Sequence, residues 1–186
     1  MADLRNSAEA RSVFSVLAED VSVCKKRLRA EPSQFWSRIY IRSLLALFDT
    51  TGFLLRRLAL VGYDHGDLHF TPQQLAVLEE TIHYLDDRGN LKERTHNVPS
   101  HVLFKFTVEQ ICSRCGKPDL ATEVFSATGW DCVKRAMEHR DALMHPKAFE
   151  SINMTPEQLD IAIQAESWIL STADRVLDAL IDHAKA

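Results

Sequence analysis

The residues best suited to chemistry lie in the segment Arg140-Asp141-Ala-Leu-Met-His145-Pro146. A histidine imidazole titrates near neutral pH and can accept or donate a proton. An arginine guanidinium stays positively charged and can hold an anionic oxygen in a fixed geometry. Arg140 and His145 would therefore suit chemistry on a phosphodiester, in which one side chain moves a proton and the other neutralises charge.

The helix that carries this segment is expected to end at His145. Apolar residues recur at helical spacing from Trp130 to Met144. Pro146 disfavours helical backbone at the residue that precedes it. On a continuous helix, residues five apart point about 140° away from each other. A break before Pro146 would instead let His145 turn back toward Arg140.

The surroundings of the pair matter more than its spacing, because a chain of this composition contains about 0.6 Arg-x4-His pairs by chance. A second pair, Arg94 and His101, has a looser spacing and is separated by the loop-forming Asn97. The Arg140 pair follows an amphipathic helix, carries Asp141, ends in His-Pro and precedes a long final helix. In these features the segment resembles the Arg-x4-His signature of the HEPN superfamily of all-helical proteins.

The resemblance implies a metal-independent endoribonuclease that uses no cofactor and no metal. The substrate would be RNA, because the reaction uses the 2′-hydroxyl as nucleophile and DNA lacks that group. His145 would act as general base, Arg140 would stabilise charge on the phosphate, and Asp141 would orient one of these two side chains. Similar proteins form homodimers in which two motifs face one cleft, so the resemblance also implies a homodimer.

Two alternatives remain open at this stage. The first is a non-catalytic helical module that binds a nucleotide or a protein partner. It is favoured by the formal net charge of −4 and by the few basic residues near the motif, namely Lys134, Arg135 and Lys147. The second is one half of a toxin–antitoxin or defence pair, in which an antitoxin or another protein partner masks the cleft.

Asp49 lies within the most apolar predicted helix, where a carboxylate needs a partner. Three interpretations are open for it. It caps a helix or forms an ordinary salt bridge, it supports the Arg140 and His145 pair from a neighbouring helix, or it is simply exposed.

Two other clusters contain residue types that bind metals. Cys112 and Cys115 have the spacing of half a zinc site or of a redox pair, but a zinc site usually needs four ligands and the chain has no second pair of this kind. Two ordinary reduced thiols are therefore favoured. His65 and His69 lie in a turn-rich loop, where a metal site and a solvated turn are both open, with the turn favoured.

Length and composition indicate one globular domain, 1–186, with 46% hydrophobic and 26% charged residues. The first residues lack the apolar stretch of a secretory signal, so we expect a cytoplasmic protein. Charged residues interrupt the longest apolar stretch, which argues against a membrane-spanning segment.

The periodicity of apolar residues predicts an all-α fold, an up-and-down bundle of five or six helices, with no strand-like alternation. The resemblance of the motif implies that this bundle is HEPN-like. Two Thr-Pro-x-Gln sequences, beginning at Thr71 and Thr155, predict capping boxes at helix starts. Helices are predicted over 3–30, from about 34, over 72–86 or raggedly to 95, over 100–115, from 126–129 to 144, and from 156 onward. A short segment around 120–125 is left without a firm assignment.

Overall fold

A computed structural model describes the backbone of residues 2–185 and the side chains of residues 12–185. These residues form seven α-helices and one two-stranded sheet, so the predicted all-α class is confirmed. The elements, in chain order, are α1 (Ala2–Ala30), α2 (Gln34–Asp64), α3 (Pro72–Leu78), β1 (Thr81–Leu85), β2 (Leu91–Thr95), α4 (Ser100–Arg114), α5 (Pro118–Ser126), α6 (Thr128–Met144), a 3₁₀ turn (Phe149–Ile152) and α7 (Pro156–Ala184).

Helix α2 lies at the centre of the bundle and contacts α1, α4, α6 and α7. Its start is capped by Ser33, whose hydroxyl accepts a hydrogen bond from the backbone N–H of Trp36 at 3.3 Å. One broad face of the helix is completely buried, which explains why its sequence is so apolar. This face includes Tyr40, Ile41, Leu44, Leu45, Leu47, Phe48 and Leu55.

A buried polar contact joins α2 to α7. The Tyr40 hydroxyl donates a hydrogen bond of 2.5 Å to the Glu166 carboxylate, and Lys25 of α1 lies 2.8 Å from the same oxygen. Burial, followed by the neighbouring Glu166, raises the pKa of Tyr40 far above its usual range, so the phenol keeps its proton and acts as donor. The contact therefore fixes three helices relative to one another.

Helix α6 packs closely against α7, and this packing places the end of α6. Gly129, near the start of α6, lies against the Trp168 indole, where an added Cβ would lie 2.6 Å from Trp168 Cβ. Trp168 donates its indole N–H to the Val124 carbonyl at 3.1 Å.

Both predicted capping boxes are formed, at Thr71 and at Thr155. The second one starts α7 directly after the loop that follows the motif.

The predicted third helix is wrong beyond residue 78. Helix α3 ends at Leu78, and an antiparallel hairpin follows in which Thr81 pairs with Thr95 and Leu85 with Leu91. Glu80 adopts a left-handed φ of 54°, which ends helical geometry before β1. Asp86 accepts hydrogen bonds from the backbone N–H groups of Arg88 and Asn90, which closes the connection between the strands.

The expected count of five or six helices is too low, because the segment left without a firm assignment forms a helix of its own, α5. Pro118 occupies its first turn, where the missing N–H costs nothing. Ala121 and Val124 attach α5 to the main core. No helix among the described residues is both long enough and apolar enough to cross a membrane.

Candidate functional site

An open crevice of about 470 Å³ lies between the outer face of α2 and the C-terminal end of α6. It brings Arg140, Asp141 and His145, the three residues predicted from the motif, onto one surface. The crevice is lined by Arg42, Ala46, Asp49, Arg140, Asp141, Met144 and His145.

The end of α6 has the geometry that Pro146 predicts. Met144 is the last helical residue, and His145 follows with φ −127° and ψ 60°, outside the helical region. Its backbone N–H still donates to the Asp141 carbonyl at 2.9 Å, so the last turn is closed. The His145 side chain is exposed on the crevice wall, where its imidazole is open to a ligand.

Two carboxylates hold the guanidinium of Arg140. Its Nε and Nη2 lie 3.2 and 3.1 Å from Asp141 Oδ1, and its Nη1 lies 3.4 Å from Asp49 Oδ2. Asp141 therefore contacts Arg140, one of the two residues that it was expected to orient. Such part-exposed pairs each contribute only about 0–1 kcal/mol. A phosphate can exchange with them at small cost.

Asp49 does not lie in the apolar centre of the bundle. Its neighbours Leu47 and Phe48 are buried, whereas Asp49 points to the outer face of α2 with its side chain 44% exposed. Asp49 forms a salt bridge with Arg140, which agrees with the first of the three interpretations as well as with the second, and its exposure agrees with the third. Asp49 and His145 line the same crevice.

Arg42 is a crevice residue that the sequence analysis missed. It is exposed on α2, and Arg42, Ala46 and Asp49 follow one another at intervals of four and three residues, so they share one helix face. This spacing is visible in the sequence. Which side of α2 faces α6 is not visible there, and so nothing in the sequence linked Arg42 to the motif.

The formal charges in the crevice balance. The positive charges of Arg42 and Arg140 face the negative charges of Asp49 and Asp141, and His145 is the one further titratable side chain among the described lining residues. Two of the three basic residues near the motif are engaged elsewhere: Lys134 lies 2.7 Å from Asp131, and Arg135 lies 3.0 Å from Glu157. The third, Lys147, is exposed. An anion would therefore be attracted by the arginines of the crevice itself, and not by Lys134 or Arg135.

The cysteine pair has the properties of ordinary thiols. Cys112 is buried and Cys115 is partly buried, and both are reduced. Burial, and secondarily Cys115, raises the pKa of Cys112 to about 11, which opposes the formation of a reactive thiolate. Burial also raises the pKa of Cys115.

The other sequence candidates are dispersed. His65 and His69 are both exposed in the loop after α2. Within the part of the chain that the structure describes, no three His, Cys, Asp or Glu side chains lie close enough together to hold a metal ion. Arg94 lies on β2 against the Tyr84 ring, and His101 lies in the first turn of α4.

A more apolar cleft of about 450 Å³ lies between α1, α2 and α7. Its walls are mainly aliphatic, with Leu54, Leu58, Leu177 and Leu180 among them. The described lining contains no arginine or lysine, so it lacks a permanently charged group for a phosphate. The crevice at Arg140 is the better candidate for phosphodiester chemistry.

Comparisons with protein-family models, with curated proteins and with solved structures found no match for this chain.

Proposed function

We propose that this protein is a metal-independent endoribonuclease of the HEPN type, with its active site in the crevice between α2 and α6. The observation that carries the proposal is the placement of Arg140 and His145 on the wall of one open crevice, at a helix end formed by Pro146. The residues supply a proton acceptor and a fixed cation within the same space.

The reaction follows from the two side chains. Neutral His145 accepts the proton of the RNA 2′-hydroxyl, and the 2′-oxygen forms a bond to phosphorus while the bond to the 5′-oxygen breaks. Arg140 stabilises the charge on the non-bridging oxygens, and water gives a proton to the leaving 5′-oxygen. The products are a 2′,3′-cyclic phosphate and a 5′-hydroxyl.

Asp49 and Asp141 have a positioning role in this proposal. Both contact the guanidinium of Arg140. The proton transfers of the reaction involve His145 and water, and neither carboxylate. A carboxylate beside the scissile phosphate repels it, so the phosphate is expected to replace one carboxylate on Arg140 rather than to bind beside both. Asp49 is the one to be replaced, because its 3.4 Å contact is longer than those of Asp141.

A homodimer is part of the proposal. Met144 and Phe149, on either side of His145 in the chain, are 53% and 73% exposed, which leaves apolar surface beside the crevice. Pairing of two copies there would bring two motifs to one cleft. Phe149→Asp should convert a dimeric wild type into a monomer in light-scattering measurements, whereas Leu91→Asp, at a residue of β2 that is 71% exposed, should not. A monomeric wild type would contradict this part of the proposal.

A non-catalytic module that binds a nucleotide or a protein is the second candidate, and the charge balance in the crevice favours it. Two arginines opposed by two carboxylates attract a long polyanion weakly. An antitoxin or other partner covering the crevice fits the same observation, since both signs of charge are present to pair across an interface.

The products of cleavage distinguish these functions. Single-stranded RNA is incubated with the protein in EDTA, and the ends formed are identified by mass spectrometry. The proposal expects 2′,3′-cyclic phosphate ends and no cleavage of the same sequence with 2′-O-methyl groups. Binding without cleavage would support the non-catalytic module, and cleavage of the 2′-O-methyl strand would contradict the mechanism.

A further inference from the structure

A second crevice continues from the candidate site along α2. It has a volume of about 200 Å³, and Asp49 lines both it and the crevice at Arg140. Its α2 wall comprises Asp49, Gly52, Phe53 and Arg56. The two crevices therefore meet at the residue that contacts the Arg140 guanidinium.

Phe53 lies in this second crevice with 47% of its side chain exposed. A single exposed phenylalanine on a protein surface is ordinary. Here the ring is held in a defined place, because the Arg56 guanidinium carbon lies 5.8 Å from its centre and Arg56 itself pairs with Glu80. The guanidinium lies over one face of the ring, and an exposed aromatic ring held in this way is a surface on which a nucleobase can stack with its other face.

The position of Phe53 along the helix fits an RNA strand held at Arg140. Asp49 and Phe53 are four residues apart, which corresponds to about 6 Å along the helix axis and to one face. Arg42, Asp49 and Phe53 thus form a line on the outer side of α2. A strand whose phosphate contacts Arg140 would pass a base directly over this line.

We propose that Phe53 stacks on a nucleobase next to the scissile phosphate, so that the substrate is single-stranded RNA. This inference rests on the proposed ribonuclease function. In a double helix the bases are already stacked and paired, so their faces are not available to the ring. An unpaired strand can turn one base into the second crevice while its phosphate lies at Arg140.

The test measures RNA affinity without cleavage. A fluorescently labelled RNA strand of about ten nucleotides is titrated with the His145→Ala protein, and anisotropy gives the dissociation constant. Phe53→Ala in this background should weaken binding roughly five- to hundredfold, the range expected for loss of one base–aromatic stack. Phe53→Leu should also weaken binding, and Phe53→Trp should preserve it. Melting temperatures establish that each variant is folded.

Tyr84 supplies the matched control. It is 46% exposed on β1, the Arg94 guanidinium carbon lies 5.7 Å from its ring centre, and it lines neither crevice. Tyr84→Ala should leave the affinity unchanged. A duplex of the same sequence should bind more weakly, with no effect of Phe53→Ala.

The outcomes separate this inference from the proposed function. If wild type cleaves RNA and Phe53→Ala binds the strand as tightly as its parent, stacking on Phe53 is wrong and the ribonuclease function stands. Suppose instead that the parent binds the strand, Phe53→Ala weakens that binding, and wild type does not cleave. Stacking on Phe53 is then supported, and the proposed ribonuclease activity is refuted. Failure of the parent to bind RNA, with no cleavage by wild type, overturns both.

Discussion

The Arg140 guanidinium lies 3.4 Å from the Asp49 carboxylate, across the crevice between α6 and α2. The two residues are 91 positions apart in the chain. In the proposed function, Asp49 would hold the cation in the crevice in the absence of a phosphate and would compete with a phosphate for the same guanidinium. Removing this competition is therefore expected to raise the affinity of the site for an anion.

Removing the charge of Asp49 should strengthen substrate binding. Asp49→Asn keeps the shape of the side chain but removes a competitor for Arg140, and KM for RNA should fall about two- to fivefold, in keeping with the small energy of a part-exposed pair. Steady-state cleavage rates measure this change. A higher KM in Asp49→Asn would mean that the carboxylate holds Arg140 in its binding position and does not compete.

His139 should make stability depend on pH near neutrality. Burial, followed by the charge of Arg135, lowers the pKa of His139 below its usual 6.5. Gln158 contacts the same imidazole ring. Its Oε1 accepts from the Thr155 N–H, so its amide nitrogen faces His139 Nδ1 at 3.3 Å and leaves no acceptor there for a second proton.

The sign follows from proton binding. The unfolded chain protonates His139 at a higher pH than the folded protein, so its contribution to the free energy of unfolding is complete above about 6.5 and falls as the pH drops toward the folded pKa. Urea unfolding at about pH 7.5 and about pH 6 should show a smaller difference for His139→Gln than for wild type. An equal difference in the two proteins would refute the assignment.

The buried contact between α2 and α7 should be important for stability. Tyr40→Phe removes the donor to Glu166 without changing the packing of the ring, and it should lower the free energy of unfolding by about 1–3 kcal/mol. Tyr63→Phe, at a ring that is 38% exposed, should change it by less than about 0.5 kcal/mol. Equal effects of the two substitutions on urea unfolding would show that the buried hydrogen bond contributes nothing.

Gly129 should tolerate no side chain. Gly129→Ala places a methyl group within 2.6 Å of Trp168 Cβ, so α6 must move relative to α7, at a cost of about 1–3 kcal/mol. Because α6 carries the motif, cleavage should fall together with the melting temperature. Thr128→Ala, at the exposed neighbour of Gly129 in α6, serves as the control and should leave the melting temperature close to that of wild type. A melting temperature of Gly129→Ala equal to that of wild type would contradict the close packing.

Local signals in the sequence were sufficient for one helix end and two helix starts, although they did not indicate the end of α3 at Leu78. Pro146 predicted that α6 ends before His145, and the Thr-Pro-x-Gln sequences predicted the caps at Thr71 and Thr155; all three features are present. Each depends on residues within about one helical turn, and that is why propensity and capping rules reach them.

Features that depend on distant residues could not be obtained this way. The hairpin was missed because the strand residues from His83 to Leu85 and all of β2 are exposed, so burial imposes no alternation on the sequence. The contact of Asp49 with Arg140 depends on how α2 and α6 pack, which the spacing within either helix does not specify. The same applies to Arg42 and Phe53, whose place beside the crevice became visible only in the fold.

We propose that His145 and Arg140 act together on RNA, and this is measured by single-turnover cleavage of a single-stranded RNA in EDTA. His145→Ala and Arg140→Ala should each reduce the rate at least about a hundredfold, the usual contribution of a proton-transferring group or of a positioned cation. Their melting temperatures should stay close to that of wild type, because His145 is exposed and the Arg140 pairs are weak. Cleavage at the wild-type rate by both variants would show that neither side chain contributes to the reaction.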